Sequence, residues 1–417
     1  ACQVLFLCAK PSPLTQPKSF KGPWFFTDMI KRIPLAWLNL THDRRRFAAS
    51  LAGVGFAVLL MFMFNGFMNA LYDSQLQLLN RFNGEIIIVN RLRTNMFVPR
   101  AFARRRLYQA RAFDGVQDAY AMYISEVNWK NPETRKSRGV RVIAINPDEP
   151  VLNIPEIETY QQLLKLPETA QMDTKSRVEV GPVEPGIISE LADRRIRLVG
   201  TFTMGTDFAS GNGNLLMSDQ NFLRYFADRG PEEDKRSFAT VDIGVVKLEP
   251  GTNVERMVNV LRENLPNDVL VMARDGDNGF VIRERNYWQE NTNIGFVFSL
   301  LTSMGFFVGI ILVYQILYTD VADHWAEYAT LKAMGYKNGY LLGVVMQEAM
   351  IISVLGFIPG VLVSQLLYTA AGNATGLFFQ MTPERIVNLL IATFVMCLVS
   401  GAIAVRKVQT TDPADVF

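Results

Sequence analysis

The chain has 417 residues, 49% of them hydrophobic and 20% charged, with a formal net charge of +2. So even a balance leaves no electrostatic footprint for nucleic acid. Three cysteines, Cys2, Cys8 and Cys397, supply no disulfide framework for the polar middle of the chain, which contains none of them.

Taken in chain order, residues 1–32 read as an N-terminal tail, of which Ala1–Lys21, with its Pro and Ser content, is expected to lack fixed structure. The chain starts at Ala1 rather than Met, which reads as a processed, truncated or foreign end, and Val4–Ala9 is too short for a signal peptide. Ile33-Pro34-Leu35-Ala36-Trp37-Leu38-Asn39-Leu40 is apolar, Pro34 suits a first helical turn, and Arg44, Arg45 and Arg46 follow. Residues 33–46 are therefore predicted as an elbow helix in the membrane interface, a plain extension of the first span being the alternative.

Four windows carry no charge: Phe47–Tyr72, Asn291–Thr319, Ala349–Pro383 and Ile386–Val405. Each supplies the roughly 20 residues that cross a hydrocarbon core of about 30 Å. The predicted spans are 47–72, 291–318, 339–368 and 386–405, the third beginning ahead of Glu348. Arg32 and Arg44–Arg46 precede the first span, Lys332 and Lys337 lie between the second and third, and Arg406 and Lys407 follow the last. The positive-inside rule then puts both termini (1–32 and 406–417) and segment 319–338 in the cytoplasm, and 73–290 and loop 369–385 outside.

Residues 73–290 read as an α+β domain. Strands are predicted at Glu85–Val89, Ala119–Trp129, Gly139–Ile145, Arg195–Thr203 and Asn214–Met217, with helices at Arg104–Phe113 and Tyr160–Lys165. Ala239–Leu248, Asn253–Asn264 and Val269–Ala273 form a strand–helix–strand unit that the first strand, helix and strand are expected to join, leaving 146–233 as an inserted subdomain. The fold class is an α+β membrane protein: one span, a large external (periplasmic) domain, then three spans.

The chemistry is sparse. No GxxxxGK[ST] phosphate loop occurs, so the chain does not bind ATP by that route, and no catalytic residue stands out. His42 and His324 are the only histidines, both on the predicted cytoplasmic side, which excludes an external histidine metal site or triad. Asp275-Gly276-Asp277-Asn278-Gly279 begins like a calcium loop, but Asn286 stands where the bidentate Glu belongs, so it reads as a turn. Arg100, Arg104, Arg105 and Arg106 form a basic cluster, either a solvated helix face or a contact for an acidic partner or lipid head groups. Gly305 and Gly309 form a GxxxG pair in the second span. With Asn65 and Asn69 of the first they are candidates for a dimer interface, or else for packing within one protomer. Glu348 is expected to pair structurally near the cytoplasmic interface, and Pro359-Gly360 to kink the third span.

Segment 319–338 is the most informative. Val321, Trp325, Tyr328 and Lys332 recur at spacings of three and four, and so share one face of a short helix. With His324 and Glu327 they are the candidate docking residues for a cytoplasmic protein, and Asp323 and Glu327 offer acids at i and i+4.

Glu327-Tyr328-Ala329-Thr330-Leu331-Lys332-Ala333-Met334-Gly335 resembles the E-I-G-x-L-[KR]-A-x-G segment of the FtsX-like/MacB-type permeases of ABC transporters, and Glu348 matches an acidic position of that family. Tyr328 and Ala329 stand where Ile and Gly are usual. Together with Asp320-Val321-Ala322-Asp323-His324, Pro34-Leu35-Ala36-Trp37-Leu38, the stretch from Phe56 to Met63 and the terminal Asp412-Pro413-Ala414-Asp415-Val416-Phe417, the segment is similar to DevC permeases of cyanobacteria. The resemblance implies a homodimeric, non-catalytic permease in the inner membrane. It implies a separate DevA-type ATPase holding ATP and Mg, a DevB-type adaptor, a TolC-like channel, and lipid-like cargo of the glycolipid class. The competing expectation is an FtsX-like transducer that regulates a periplasmic partner such as a cell-wall hydrolase.

Overall fold

A long apolar helix cannot cover its whole circumference inside a small domain, and a bilayer accommodates it instead. Four helices of the computed structural model meet that description: Arg44–Gln75, Gly295–Asp323, Leu342–Thr375 and Pro383–Arg406. The structure describes residues 35–207, 211–227, 236–291, 293–336 and 338–409. The expected tail 1–32, Pro34 of the elbow, Lys337 and the terminal segment 412–417 lie outside them.

Helix α1 (Leu35–His42) is separate from α2 (Arg44–Gln75). Asp43 makes the break: its side chain caps α2 by accepting from the backbone N–H groups of Arg45 and Arg46 at 2.9 and 3.3 Å. The bond from the Arg46 backbone is the main reason its carboxyl titrates below the usual range.

After α2 come α3 (Gln77–Asn80), β1 (Ile86–Asn90), β2 (Phe102–Ala103), α4 (Arg105–Arg111), β3 (Val116–Lys130), β4 (Ser137–Ile145), α5 (Pro155–Leu164), β5 (Thr169–Asp173), β6 (Ile188–Leu191), β7 (Arg194–Phe202) and β8 (Asn214–Ser218). The domain ends with α6 (Asp219–Phe226), β9 (Thr240–Val241), β10 (Ile243–Leu248), α7 (Val254–Asn264), β11 (Val269–Ala273) and α8 (Phe280–Glu290). The bundle resumes with α9 (Asn293–Asp323), α10 (Trp325–Ala333), α11 (Asn338–Thr375) and α12 (Pro383–Gln409).

The main sheet has the order β11-β1-β10-β3-β4-β8-β5-β7-β6. β1 lies between β10 and β11, antiparallel to both, so the expected strand–helix–strand unit is split by the first strand of the domain. The 15-residue β3 serves two structures. Its first half pairs with β10 and its second half with β4. β6 then pairs back onto its end at Trp129 and Lys130, closing a ring of β3, β4, β8, β5, β7 and β6. The ring recruits β4 and half of β3, which precede the expected insertion at 146.

Every residue of β1 from Ile86 to Val89 is buried, because both sheet faces are covered. Ile86 and Ile88 pack with Leu107 of α4 and Leu261 of α7. Ile87 and Val89 pack with Leu76, Leu78 and Leu79 below α2 and with Phe280 of α8. The second core therefore joins the sheet to the helices that lead into the first two spans.

The basic cluster needs a correction. Arg106 is only 7% exposed and forks onto Asp268, with Nε 3.0 Å from both carboxylate oxygens and Nη2 2.9 Å from Oδ2. The turn of α4 that buries Leu107 and Ala110 carries Arg106 inward too. Arg105 remains exposed, and Arg100 and Arg104 are half-buried.

The expected dimer residues are used within the protomer. A Cβ on Gly309 would stand 3.1 Å from Ala57 Cβ and closer still to Met396, and one on Gly305 would stand 3.2 Å from the Phe64 ring. Asn69 Nδ2 donates to Asn65 Oδ1 at 2.7 Å and to Asn65 O at 2.8 Å, and Arg285 donates to Asn69 Oδ1 at 3.3 Å. Amides at depth take the nearest partner, and here it is one helical turn away. Another pair of glycines brings two helix backbones together. At the α2–α11 crossing, a Cβ on Gly356 would sit 2.8 Å from Val54 Cβ, and one on Gly360 would sit 3.0 Å from Gly55 O. That Gly356-xxx-Gly360 pair includes the glycine read from sequence only as part of a kink.

Candidate functional site

Helix α9 does not stop at Tyr318, the expected end of the second span, but runs to Asp323, one residue short of α10. His324 forms the joint: its backbone N–H and its Nδ1 lie 3.2 and 2.9 Å from Asp320 O, and Tyr328 N–H donates back to His324 O at 3.1 Å. Asp320 and Val321, expected in the docking segment, thus belong to the spanning helix.

The far end of α10 is set by Gly335. Its φ of +94° puts it in the left-handed region, and Tyr336 N–H reaches back to Leu331 O at 3.1 Å. That six-to-one bond with glycine one residue past the cap is a Schellman ending. The Ala-Met-Gly at the close of the segment is thereby a chain-reversal signal that returns the backbone toward α11.

Helix α10 shows one face to the bundle and one to solvent. Val321 and Tyr328 are 2% and 3% exposed and pack with Ala36 of α1, Val344 and Val345 of α11 and Val405 of α12. Trp325 and His324 are half-buried, while Ala322, Asp323, Ala326, Glu327 and Thr330 are exposed. The docking face expected from sequence is corrected accordingly: Val321 and Tyr328 are anchors into the bundle. The expected face was located by its apolar spacing, and that spacing marks the inward stripe. Glu327 stays on the outer face. Lys332 lies in α10, with its side chain outside the described residues. Asp323 is engaged by Arg46 at the start of α2, so one of the two acids offered to a partner already has one.

Beneath α10 four polar side chains meet. Asn39 Nδ2 donates to Glu348 Oε1 at 3.1 Å and to the Tyr328 hydroxyl at 3.4 Å. Glu348 is fully buried, and the Asp320 carboxyl faces it. Among the described residues Asp320 Oδ2 and Glu348 Oε2 have no other hydrogen-bond partner. A proton shared between the two carboxyls would satisfy both oxygens, since one carboxylic acid would then donate to the other carboxylate, and His324 Nδ1 lies 3.8 Å from Asp320 Oδ1. Burial, followed by the neighbouring Glu348 and Asp320 carboxyls, pushes the Tyr328 phenol above its ordinary value, so it stays neutral. One residue each from α1, α9, α10 and α11 thus contributes to the knot. Asn39 was not singled out from sequence. Its signal was an amide inside an otherwise apolar turn, which demands a buried partner.

The opposite ends of the spans are pinned too. Asp73 near the end of α2 accepts from Arg385 of α12 at 2.6 Å and lies 4.0 Å from Arg285 of α8. Among the described residues no group of three or more His, Cys, Asp or Glu is placed to hold a metal ion.

Residues 297–413 match the family described as FtsX-like permease C-terminal. The match spans most of α9 and all of α10, α11 and α12. This part of the chain is similar to the C-terminal region of FtsX-like permeases. No curated protein matches the sequence. Among solved structures, the periplasmic region of MacB from Actinobacillus actinomycetemcomitans is 12% identical, with a TM-score of 0.32 over 46% of this chain and 90% of that one. The extracellular domain of the ABC-type transporter YknZ from Gram-positive bacteria is 11% identical, with a TM-score of 0.31 over 45% of this chain and 98% of that one. The strand order described above stands on this molecule's own hydrogen bonding.

Proposed function

We propose that the chain is the permease subunit of a tripartite exporter of the DevC type. A separate DevA-type ATPase holding ATP and Mg would grip α10. Two copies of the permease would transmit the motion to a DevB-type adaptor and a TolC-like channel, for lipid-like cargo of the glycolipid class. The DevC resemblance supplies the adaptor, the channel and the cargo class.

The observation that carries the mechanical part is the construction of α10. It has an exposed outer face carrying Glu327, an inward face locked into the bundle by Tyr328 beside Val321 of α9, and a polar knot that reaches α1, α9 and α11. A push on its outer face moves several spans together, because packed elements transmit displacement rather than absorb it. At the other end Leu76 and α3, which continue α2, and α8, which leads into α9, enter the core of the extramembrane domain, so the same spans carry that motion outward. Ala36, Tyr328 and Val405 share one cluster, which supports placing both chain ends and α10 on one side of the membrane, the cytoplasmic side by the positive-inside rule. For the second copy, α9 is the span least covered within the protomer, and Phe296, Leu300, Met304, Phe307 and Ile311 lie exposed along one stripe of it.

The test is co-purification with a co-expressed DevA-type ATPase. Glu327→Arg reverses an exposed charge and Trp325→Ala removes the half-buried aromatic at the start of α10. Both should lose the ATPase while membrane insertion and thermal stability stay close to wild type. Retention of the ATPase at wild-type levels by both variants would overturn the docking assignment.

A further inference from the structure

The two ends of the bundle differ in what they enclose. Where the extramembrane domain meets α11 there is a cavity of about 810 Å³, within the size range of small-molecule sites. One wall is the domain's segment 174–179 and the other is the end of α11 with the loop after it. Loop and helix come close: a Cβ on Gly376 would lie 2.8 Å from Thr206 Oγ1 and 3.6 Å from Lys175 O.

Two chemistries meet in this cleft. Lys175 and Arg177 line it as exposed cations, and no ion pair engages either within the described residues. Glu179 is the only acid in the lining. Tyr368, Leu377 and Phe379 supply the apolar part. Val178, 93% exposed, and Phe378, 48% exposed, are held out at the level where α11 ends, as side chains in contact with lipid are. Below the mouth, Leu366, Leu362, Ile358 and Val354 repeat every four residues along the exposed face of α11. A smaller cavity of about 410 Å³ shares Gln77, Met204 and Phe378 with the first and adds Arg81 and Arg385.

We propose that this cleft binds an anionic membrane lipid. Its acidic head group lies against Lys175 and Arg177, and its acyl chain runs over Phe378 and down the exposed stripe of α11. Cations next to an apolar surface at the membrane boundary match a molecule with those two parts in that order. A soluble anion would use the cations and leave the aromatic wall and the leucine stripe without a role. The inference extends the permease reading by naming a lipid class at the extramembrane end. It is tested without the ATPase, so a failure here and a failure of docking are separate results.

The full chain is placed in nanodiscs of zwitterionic lipid containing either phosphatidylglycerol or phosphatidylcholine with a photoactivatable group in the acyl chain, and labelled peptides are mapped by mass spectrometry. Phosphatidylglycerol should label 174–179 and 365–379 in preference to phosphatidylcholine. Lys175→Glu combined with Arg177→Glu should weaken that labelling about 30-fold, from about a fivefold loss per basic residue at a charged surface. Gly372→Leu fills the cleft without touching its charge, and its Cβ meets only ordinary contacts at 3.5 and 3.8 Å. This variant should lose the same labels while those on the α9 stripe persist, and it keeps the test decisive if the charge reversals disturb folding. Equal labelling by the two lipids, or labelling unchanged in Gly372→Leu, would overturn the proposal. So would displacement of the label by soluble glycerol phosphate, which would mark a free-anion site.

Discussion

The extramembrane domain and the far end of the helix bundle both bury charge, and they neutralise it in opposite ways. In the domain, each buried cation meets an anion or a set of backbone oxygens. Arg141, fully buried, donates to Asp207 at 2.6 Å and stacks 4.4 Å above the Phe97 ring. Arg236 lies 3.3 Å from Asp242. Arg93 donates to Asn95 O at 3.2 Å and to Asp242 O at 2.5 Å. At the bundle end, the Glu348 and Asp320 carboxyls face each other beside an amide and a phenol, with the His324 imidazole 3.8 Å from Asp320. An ion pair is satisfied in one arrangement and resists movement. A carboxyl pair needs only a proton and a donor, and tolerates a neutral partner. The domain is built as a rigid body and the knot beneath α10 as a joint.

The largest expected effect tests the rigid side. Removing one member of a fully buried ion pair strands the other, which costs about 3–5 kcal/mol. Asp207→Ala should therefore lower the thermal midpoint of the purified chain more than any substitution at the knot. Adding Arg141→Met should restore most of the loss, because the stranded charge is gone. A double variant no better than the single one would show that the pair is not what holds this part of the ring.

Next comes the turn that closes α10. Gly335 has φ +94° and nothing lies within 4 Å of where its Cβ would be, so Gly335→Ala meets only the backbone cost of the left-handed conformation, about 1–2 kcal/mol. Proteolysis of the segment joining α10 to α11 should accelerate, while the melting of the extramembrane domain stays unchanged. Equal susceptibility of variant and wild type would break the assignment of Gly335 as a helix stop.

The spans were legible because charge is absent over each of them, and the strands of the domain because strand-forming runs end in turn residues. The joint was legible only in part. Spacing put Val321, Trp325 and Tyr328 on one helix, whereas Val321 belongs to α9 and the other two to α10; nor does a period say which face turns inward, and both Val321 and Tyr328 turn inward. Asn39 and Glu348 carried the missing information: polar groups in apolar windows must find each other, and Tyr328 lies where they do. The partner of Arg106 was beyond reach, since Asp268 is 162 residues away, and so was the closure of the ring by β6 on β3, another non-local pairing. Gly356 was not singled out from sequence and Gly360 was read only with Pro359, since nothing in sequence ranked them above Gly305 and Gly309.

Within the joint, the Tyr328 hydroxyl accepts one long hydrogen bond from Asn39 at 3.4 Å. Tyr328→Phe keeps the ring in its apolar cluster and removes that bond, at a cost of about 0.5–1.5 kcal/mol. The melting temperature should fall slightly and ATPase co-purification should persist. Loss of ATPase binding with stability intact would mean that the hydroxyl itself faces the partner, contrary to its burial.

The smallest expected effect is the most discriminating. Glu348→Gln keeps the shape of the side chain, still accepts from Asn39 through its amide oxygen, and can donate from its amide nitrogen to Asp320 Oδ2, which otherwise has no donor among the described residues. The neutral amide replaces the shared proton, so stability should change by less than about 1 kcal/mol. The matching exchange in the domain, Asp207→Asn, leaves buried Arg141 without its counter-charge and should cost about 3 kcal/mol or more. Measured side by side as thermal midpoints in the same detergent, the two amide substitutions separate the two kinds of buried charge. Equal losses at both sites would mean that Glu348 is held as a carboxylate against a cation, and the carboxyl pair with Asp320 would have to be abandoned.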